Sequence, residues 1–142
     1  MGGNMNWKKL LIAFIVIYVV GGIISFIIHG IILMETYESL ANIWRPDMER
    51  VMWVQWVTSL FFCFFFVYVF AKGYEGKGMM EGIRYGLIIW AFFAIPSIYG
   101  QYMVYPIPYS LVLKWLFSEL ISLLIYGVLA AVIYKPLEVK TA

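Results

Sequence analysis

One acidic residue, Glu119, is the strongest candidate for a chemical role in the sequence because it interrupts a long apolar stretch. It follows Tyr109, where that stretch begins, by ten residues. In a helix this separation places the carboxyl group roughly 15 Å from the start. Because an ionised carboxylate near the middle of a bilayer costs on the order of 2.5–3.5 kcal/mol, Glu119 should face other helices, find a partner or bind a proton.

Other polar residues interrupt apolar stretches at related depths. We hypothesise that six side chains converge on one intramembrane polar pocket that opens to the outside: His29, Gln55, Ser97, Gln101, Lys114 and Glu119. The alternative is that each group is satisfied separately. His29 and Gln55 would then reach lipid headgroups or water, and a protonated Glu119 would bond to a neighbouring helix.

The elements that must position these residues are four apolar blocks: Leu10–Met34, Val51–Ala71, Ile83–Tyr105 and Tyr109–Tyr134. Each block has at least 20 residues, which is enough to cross a hydrocarbon layer of ~30 Å at ~1.5 Å per residue. With 64% hydrophobic and 13% charged residues, the chain leaves no length for a soluble domain beside them. We therefore predict an all-α fold, in which residues 1–142 form a single membrane domain of four transmembrane helices in an antiparallel bundle.

Composition gives little support for cofactor chemistry. Cys63 is the only cysteine and His29 the only histidine, so the chain lacks paired histidines for haem and a Cys/His cluster for zinc or iron–sulfur. The ten basic residues are divided among tails and loops, which argues against a nucleic-acid surface. We expect no metal, no cofactor, no catalytic residues and no nucleic-acid partner.

The distribution of basic residues predicts how the bundle is oriented, since short loops with Lys and Arg stay on the cytoplasmic side. Seven basic residues fall in the two tails and the second connection: Lys8, Lys9, Lys72, Lys77, Arg84, Lys135 and Lys140. The other two connections have Arg45 and Arg50, and Lys114 only if its side chain reaches outward. We therefore expect cytoplasmic termini, loops 35–50 and 106–108 outside, and a location in the plasma (inner) membrane.

The first connection, residues 35–50, has an apolar stripe at helical spacing: Tyr37, Leu40, Ala41 and Trp44. This stripe predicts either a short helix on the outer membrane surface or a simple extension of the first span. Pro46 ends the helical pattern, and Asp47 is suited to cap the start of the second span.

Glycine, proline and serine mark the other positions of local interest. Residues 72–78 include three glycines but lack a P-loop ending, which favours a flexible cytoplasmic turn over a phosphate site. Pro96 should kink the third span and free the carbonyl of Phe92. Two pairs of small residues four apart favour close helix packing or oligomerisation: Gly82 with Gly86, and Ser118 with Ser122.

Three classes of function are compatible with these features. Because few polar residues could do chemistry, the sequence favours an accessory or assembly subunit of a membrane complex. Its expected partners are the lipid bilayer and either other membrane chains or further copies of itself. The alternative is a small oligomeric proton-coupled transporter that uses Glu119, with His29 near the outer mouth. A second alternative is a membrane enzyme acting on a lipid or a quinone, although the sequence offers no nucleophile beside a base.

Overall fold

The computed structural model describes residues 5–137, and these residues form helices joined by short connections. The α-helices are α1 (Trp7–Ile27), α2 (Met34–Ser39), α3 (Met48–Lys72), α4 (Met79–Ile89), α5 (Ile95–Val104) and α6 (Tyr109–Ile133). One π-helical turn, Ile28–Ile32, extends α1, and another, Trp90–Ala94, joins α4 to α5. Lys140, which contributed to the predicted orientation, lies outside the described residues.

Four continuous helical segments are long and apolar enough to cross a membrane: Trp7–Ile32, Met48–Lys72, Met79–Val104 and Tyr109–Ile133. Each contains 25 or 26 residues, a length of roughly 37–39 Å at the rise of an α-helix. The prediction of an all-α, four-span protein is confirmed. The chain is a multi-pass membrane protein.

The two ends of the bundle carry different connections between the spans. At one end, here called the terminal end, the ring of Trp7 lies 6.3 Å from that of Tyr68, and the ring of Tyr74 lies 5.6 Å from that of Tyr134. These contacts bring the start of the first span, the second connection and the end of the fourth span together. The opposite end, here called the far end, carries the first and third connections.

The interior of the bundle is formed by residues that recur at helical spacing. In α1 the buried residues are Leu10, Ala13, Ile17 and Gly21, which fall three or four positions apart and so share one face. That face packs against α3 and α6. The other faces of α1 expose large apolar side chains such as Ile15 and Ile23, as a membrane-spanning helix requires.

The closest helix contact joins α4 to α6 through glycine. A Cβ atom added to Gly82 would overlap the backbone carbonyl of Gly127, and one added to Gly86 would overlap the carbonyl of Leu123. The absence of side chains thus allows the two backbones to touch, which is how small residues stabilise helix pairs in lipid. The hydroxyl groups of Ser118 and Ser122 instead donate to carbonyl oxygens one turn earlier in α6.

The third span changes its hydrogen-bonding pattern just before Pro96. The amide of Ile95 donates to the carbonyl of Trp90, a separation of five residues that defines a π turn. The disturbance expected at Pro96 is therefore present about one turn earlier, as a widened turn. Trp90 fixes this turn against α6, because its indole Nε1 donates to the Leu116 carbonyl at 2.9 Å.

The glycine-rich second connection forms a turn whose backbone is hydrogen-bonded to α4. Gly76 and Gly78 adopt positive φ angles of 77° and 67°, which glycine reaches without steric cost. The buried carboxylate of Glu81 accepts the backbone N–H groups of Glu75 at 2.6 Å and Lys77 at 2.7 Å. Glu81 therefore holds the loop at both of these amides.

The first connection folds back over the far end of the bundle. α2 follows the first span after Leu33 and ends at Ser39, and the predicted stripe then packs inward: the ring of Trp44 lies 6.5 Å from Trp115 and 6.4 Å from Tyr105. Loop one thus covers part of the far end of the bundle.

The start of the second span corrects one detail of the sequence analysis. Asp47 occupies the N-cap position of α3, as expected, but its side chain makes no capping hydrogen bond. Both of its carboxylate oxygens accept from Arg45 instead, at 2.7 and 3.0 Å. The nearby guanidinium group holds the pKa of the exposed Asp47 carboxyl below its usual range.

Candidate functional site

Glu119 lies in the middle of α6, ten residues after the helix begins at Tyr109. It is half-buried, and the residues on the same helical face, Trp115 and Ser122, are buried. Within residues 5–137, Glu119 forms neither a hydrogen bond nor an ion pair. An acid at this depth without a partner in its own chain requires a proton or a contact from elsewhere.

A hydrogen-bonded network lies on the far-end side of Glu119 and centres on Tyr37. The indole Nε1 of Trp115 donates to the Tyr37 hydroxyl oxygen at 2.8 Å, and His29 Nδ1 lies 2.6 Å from the same oxygen. Trp44 Nε1 also donates to the Tyr37 backbone carbonyl at 3.2 Å. These four residues, called the Tyr37 network, tie the end of the first span and loop one to α6.

The indole donors define the direction of two hydrogen bonds in the network. Because an indole N–H can only donate, the Tyr37 oxygen is the acceptor from Trp115. The Tyr37 hydroxyl donates to His29 Nδ1 when the imidazole proton is on Nε2, and it accepts from Nδ1 when the proton is there. Burial raises the pKa of the Tyr37 phenol, and the hydrogen bond from Trp115 opposes that shift. Glu119 lies one helical turn beyond Trp115 on α6.

Lys114 contacts Thr36, in the part of loop one that folds over the far end of the bundle. Its Nζ lies 3.4 Å from the hydroxyl oxygen of Thr36, and both side chains are on the outer surface of the network. No ion pair joins Lys114 to Glu119 within residues 5–137. α2 therefore contacts both His29, through Tyr37, and Lys114, through Thr36.

The three remaining polar residues of the hypothesised pocket lie elsewhere. Gln55 is exposed on α3 and donates to Ser59 of the same helix at 3.2 Å. Ser97 and Gln101 are exposed on α5. The structure therefore does not gather all six residues into one enclosed pocket, because the part of α3 that carries Gln55 lies apart from the bundle. A functional role for any of the six stays a prediction.

Sequence reasoning missed the residues that organise this region. Tyr37 appeared only as part of an apolar stripe, since a one-dimensional pattern does not indicate that its hydroxyl reaches across to α6. Gly127 could have been found, because it lies four residues before Ala131 and so repeats the spacing of the small-residue pairs. Glu81 could have been found as an acid at the end of a loop that exposes backbone amides.

The described residues carry apolar hollows but no cluster of metal-ligating side chains. Among residues 5–137, no three His, Cys, Asp or Glu side chains lie close enough to hold a metal ion. Two shallow hollows flank α6, one beside Trp90 and Phe117 and one beside Ile83 and Val128, and both are apolar. Neither of these hollows includes Glu119.

Comparison with known proteins does not add a functional assignment. No family model matches the chain, and searches of curated proteins and of solved structures find no significant similarity.

Proposed function

We propose that the protein is a non-catalytic accessory or assembly subunit of a membrane complex, which uses one half of α3 to bind its partner. The observation that carries this proposal is the exposure of seven consecutive residues, Met52–Thr58. Seven residues complete almost two helical turns, so no face of this segment is covered by residues 5–137. Residues 48–60 include this segment and are also exposed, apart from the partly covered Val51 and Ser59, so we call them the uncovered half of α3.

The other half of α3 provides the contrast. Cys63, Phe66, Val67 and Phe70 are buried, at the three- or four-residue spacing of a helix with one face against the protein. A helix at the edge of a bundle exposes one side to lipid, but it has no reason to separate from its neighbours along half its length. A partner helix beside Met52–Thr58 accounts for that separation.

Polar groups on the uncovered half support the same proposal. Gln55, Thr58 and Ser59 lie on one side of α3, where Thr58 can bond only to its own helix, at the carbonyls of Val54 and Gln55. Amide and hydroxyl groups of this kind form hydrogen bonds between membrane helices.

The contact between two aromatic rings indicates where the partner would lie. Phe62, seven residues after Gln55 and on the same side of α3, has its ring 5.4 Å from that of Phe93 in the third span. Ser97 and Gln101 follow Phe93 by four and eight residues and so project from a similar side of that span. Exposed polar groups therefore lie on both spans, on the far-end side of the Phe62–Phe93 contact.

The proposal is tested by purifying the tagged chain at native abundance in a mild detergent. We expect stoichiometric partner chains, identified by mass spectrometry as another protein or as further copies. Gln55→Leu and Thr58→Leu should each lower partner recovery about threefold, since single polar contacts between membrane helices contribute about 0.6 kcal/mol.

Ser25→Leu is the matched control, because Ser25 is an exposed polar residue on α1. It should leave recovery unchanged. A single monodisperse chain at native abundance, or an equal loss in the Ser25 variant, would contradict the proposal.

A second candidate, a small oligomeric proton-coupled transporter, is supported by the unpartnered carboxyl group of Glu119 beneath the Tyr37 network. Glu119→Gln should then preserve folding while abolishing proton-linked uptake or efflux in vesicles, followed with an entrapped pH-sensitive dye. Glu81→Gln is the contrasting variant, because Glu81 holds two backbone amides and should lower thermal stability. Unaltered proton-linked transport in Glu119→Gln would remove this candidate.

A further inference from the structure

Basic residues at the terminal end fall into two groups that differ in how they are neutralised. Lys77 and Arg84 both pair with the Glu75 carboxylate, at 2.6 and 3.0 Å. Lys8 and Lys72 are exposed, and among residues 5–137 no carboxylate lies within ion-pair distance of either. Lys9, beside Lys8, and Lys135, after α6, are likewise exposed and make no ion pair among these residues, so positive charge without a carboxylate partner extends from the start of α1 and the end of α3 to the end of α6.

Aromatic side chains connect Lys72 to the start of α1, where Lys8 follows Trp7. The ring of Trp7, at the start of α1, lies 6.3 Å from that of Tyr68 on α3. The Lys72 ammonium group lies 5.5 Å from the centre of the same Tyr68 ring, within range of a cation–π interaction. Trp and Tyr rings prefer the headgroup level of a bilayer, so this surface lies where lipid phosphates are found.

We propose that this surface, formed by Trp7, Lys8, Tyr68 and Lys72, binds the headgroup of an anionic phospholipid. The phosphate would lie against the two ammonium groups, with the aromatic rings beside the glycerol region. A lipid fits better than a soluble phosphate because the same side of the bundle continues into exposed apolar residues, among them Leu11 and Phe65. Acyl chains can lie along these side chains. The site is at the opposite end from the uncovered half of α3, so it does not depend on the proposed subunit interface.

Titration of the purified full chain with phosphatidylglycerol, counted by native mass spectrometry, tests the proposal. Phosphatidylcholine and inorganic phosphate form the two comparison arms. We expect tighter retention of phosphatidylglycerol than of phosphatidylcholine, and no competition by inorganic phosphate. Lys8→Gln and Lys72→Gln should each weaken retention about fivefold, since a basic residue at the membrane surface contributes about 1 kcal/mol towards an anionic lipid.

Lys77→Gln is the matched control, because it removes the same charge from a lysine that Glu75 already neutralises. It should leave lipid retention unchanged. Equal retention of the two lipids, equal losses in Lys72→Gln and Lys77→Gln, or full competition by inorganic phosphate would each overturn the proposal. A helicity measurement on every variant separates loss of binding from loss of folding.

Discussion

Tyr37 connects three parts of the molecule through a single hydroxyl group. It accepts from Trp115 on α6 and lies within hydrogen-bonding distance of His29 at the end of the first span. Because the ring is half-buried and its oxygen satisfies an indole N–H in an apolar setting, removal of that oxygen leaves the donor unpaired. The hydroxyl of Tyr37 is therefore a structural group as well as a neighbour of Glu119.

Tyr37→Phe should lower the free energy of unfolding by roughly 1–3 kcal/mol, the cost of leaving a buried polar group unsatisfied. Thermal unfolding in detergent, followed by circular dichroism, measures the change. Tyr99→Phe is the control, because Tyr99 shares its hydrogen bond with Tyr109 on the exposed surface and should have little effect. Equal losses in the two variants would show that the Tyr37 network does not stabilise the far end.

Glu75 gives the second connection a dependence on pH. Hydrogen bonds from Lys77 and Arg84 hold the pKa of the exposed Glu75 carboxyl below its ordinary value of 4.5. A carboxyl group whose pKa is lower in the folded state contributes stability above its unfolded pKa, and this contribution is lost as the pH falls through the folded value.

The melting temperature should therefore fall as the pH is lowered below about 4.5. Glu75→Gln should lessen that fall, since an amide does not titrate. Melting curves of both proteins between neutral and acidic pH provide the measurement. An identical acid dependence in the two proteins would assign the loss to other carboxyl groups.

At the scale of elements, α4 and α6 are held together by backbone contact rather than by interdigitating side chains. Gly82 and Gly127 lie so close that neither can carry a Cβ atom without movement of the other helix. Gly22, on α1, has no atom within 4 Å of the corresponding position. The chain thus offers two helical glycines with opposite surroundings.

Gly82→Ala should destabilise the fold by roughly 1–3 kcal/mol, because overpacking separates the helices. Gly22→Ala should be neutral or stabilising by up to about 1 kcal/mol, since alanine is the better helix former. Thermal unfolding of both variants under one set of detergent conditions compares them directly. A loss in Gly22→Ala that matches Gly82→Ala would mean that glycine acts through helix flexibility and not through contact.

The spans were predictable from the sequence because hydropathy over some twenty residues averages out local detail. Their ends were less predictable, since the third span begins at Met79 rather than Ile83. Glu81 lies in the first turn of α4, where it is buried and its carboxylate accepts from two loop amides. A pattern that treats every acid as a boundary misses this arrangement.

At the scale of the whole molecule, the candidate site was predictable only in part. Glu119 was recognisable because its position in the apolar stretch gives its depth, and an ionised carboxylate at that depth is costly in free energy. Which residues surround Glu119 depends on how the helices pack, which the sequence does not show. Gln55 is exposed on α3 and is not among them. The hydroxyl of Tyr37 entered the site through the fold of loop one, a tertiary feature without a sequence period.

The charge distribution predicts the orientation of the bundle in its membrane, and single cysteines can measure it. Cys63 is buried and is the only cysteine of the chain, so a Cys63→Ser background is expected to fold and to be inert to thiol reagents. In that background Ser39→Cys, in loop one, should react with a membrane-impermeant maleimide in intact cells. Lys77→Cys should react only after the membrane is opened, because the excess of Lys and Arg at the terminal end favours the cytoplasm. The reverse pattern of labelling would mean that the charge asymmetry does not set the topology, and it would move Lys114 and the Tyr37 network to the cytoplasmic side.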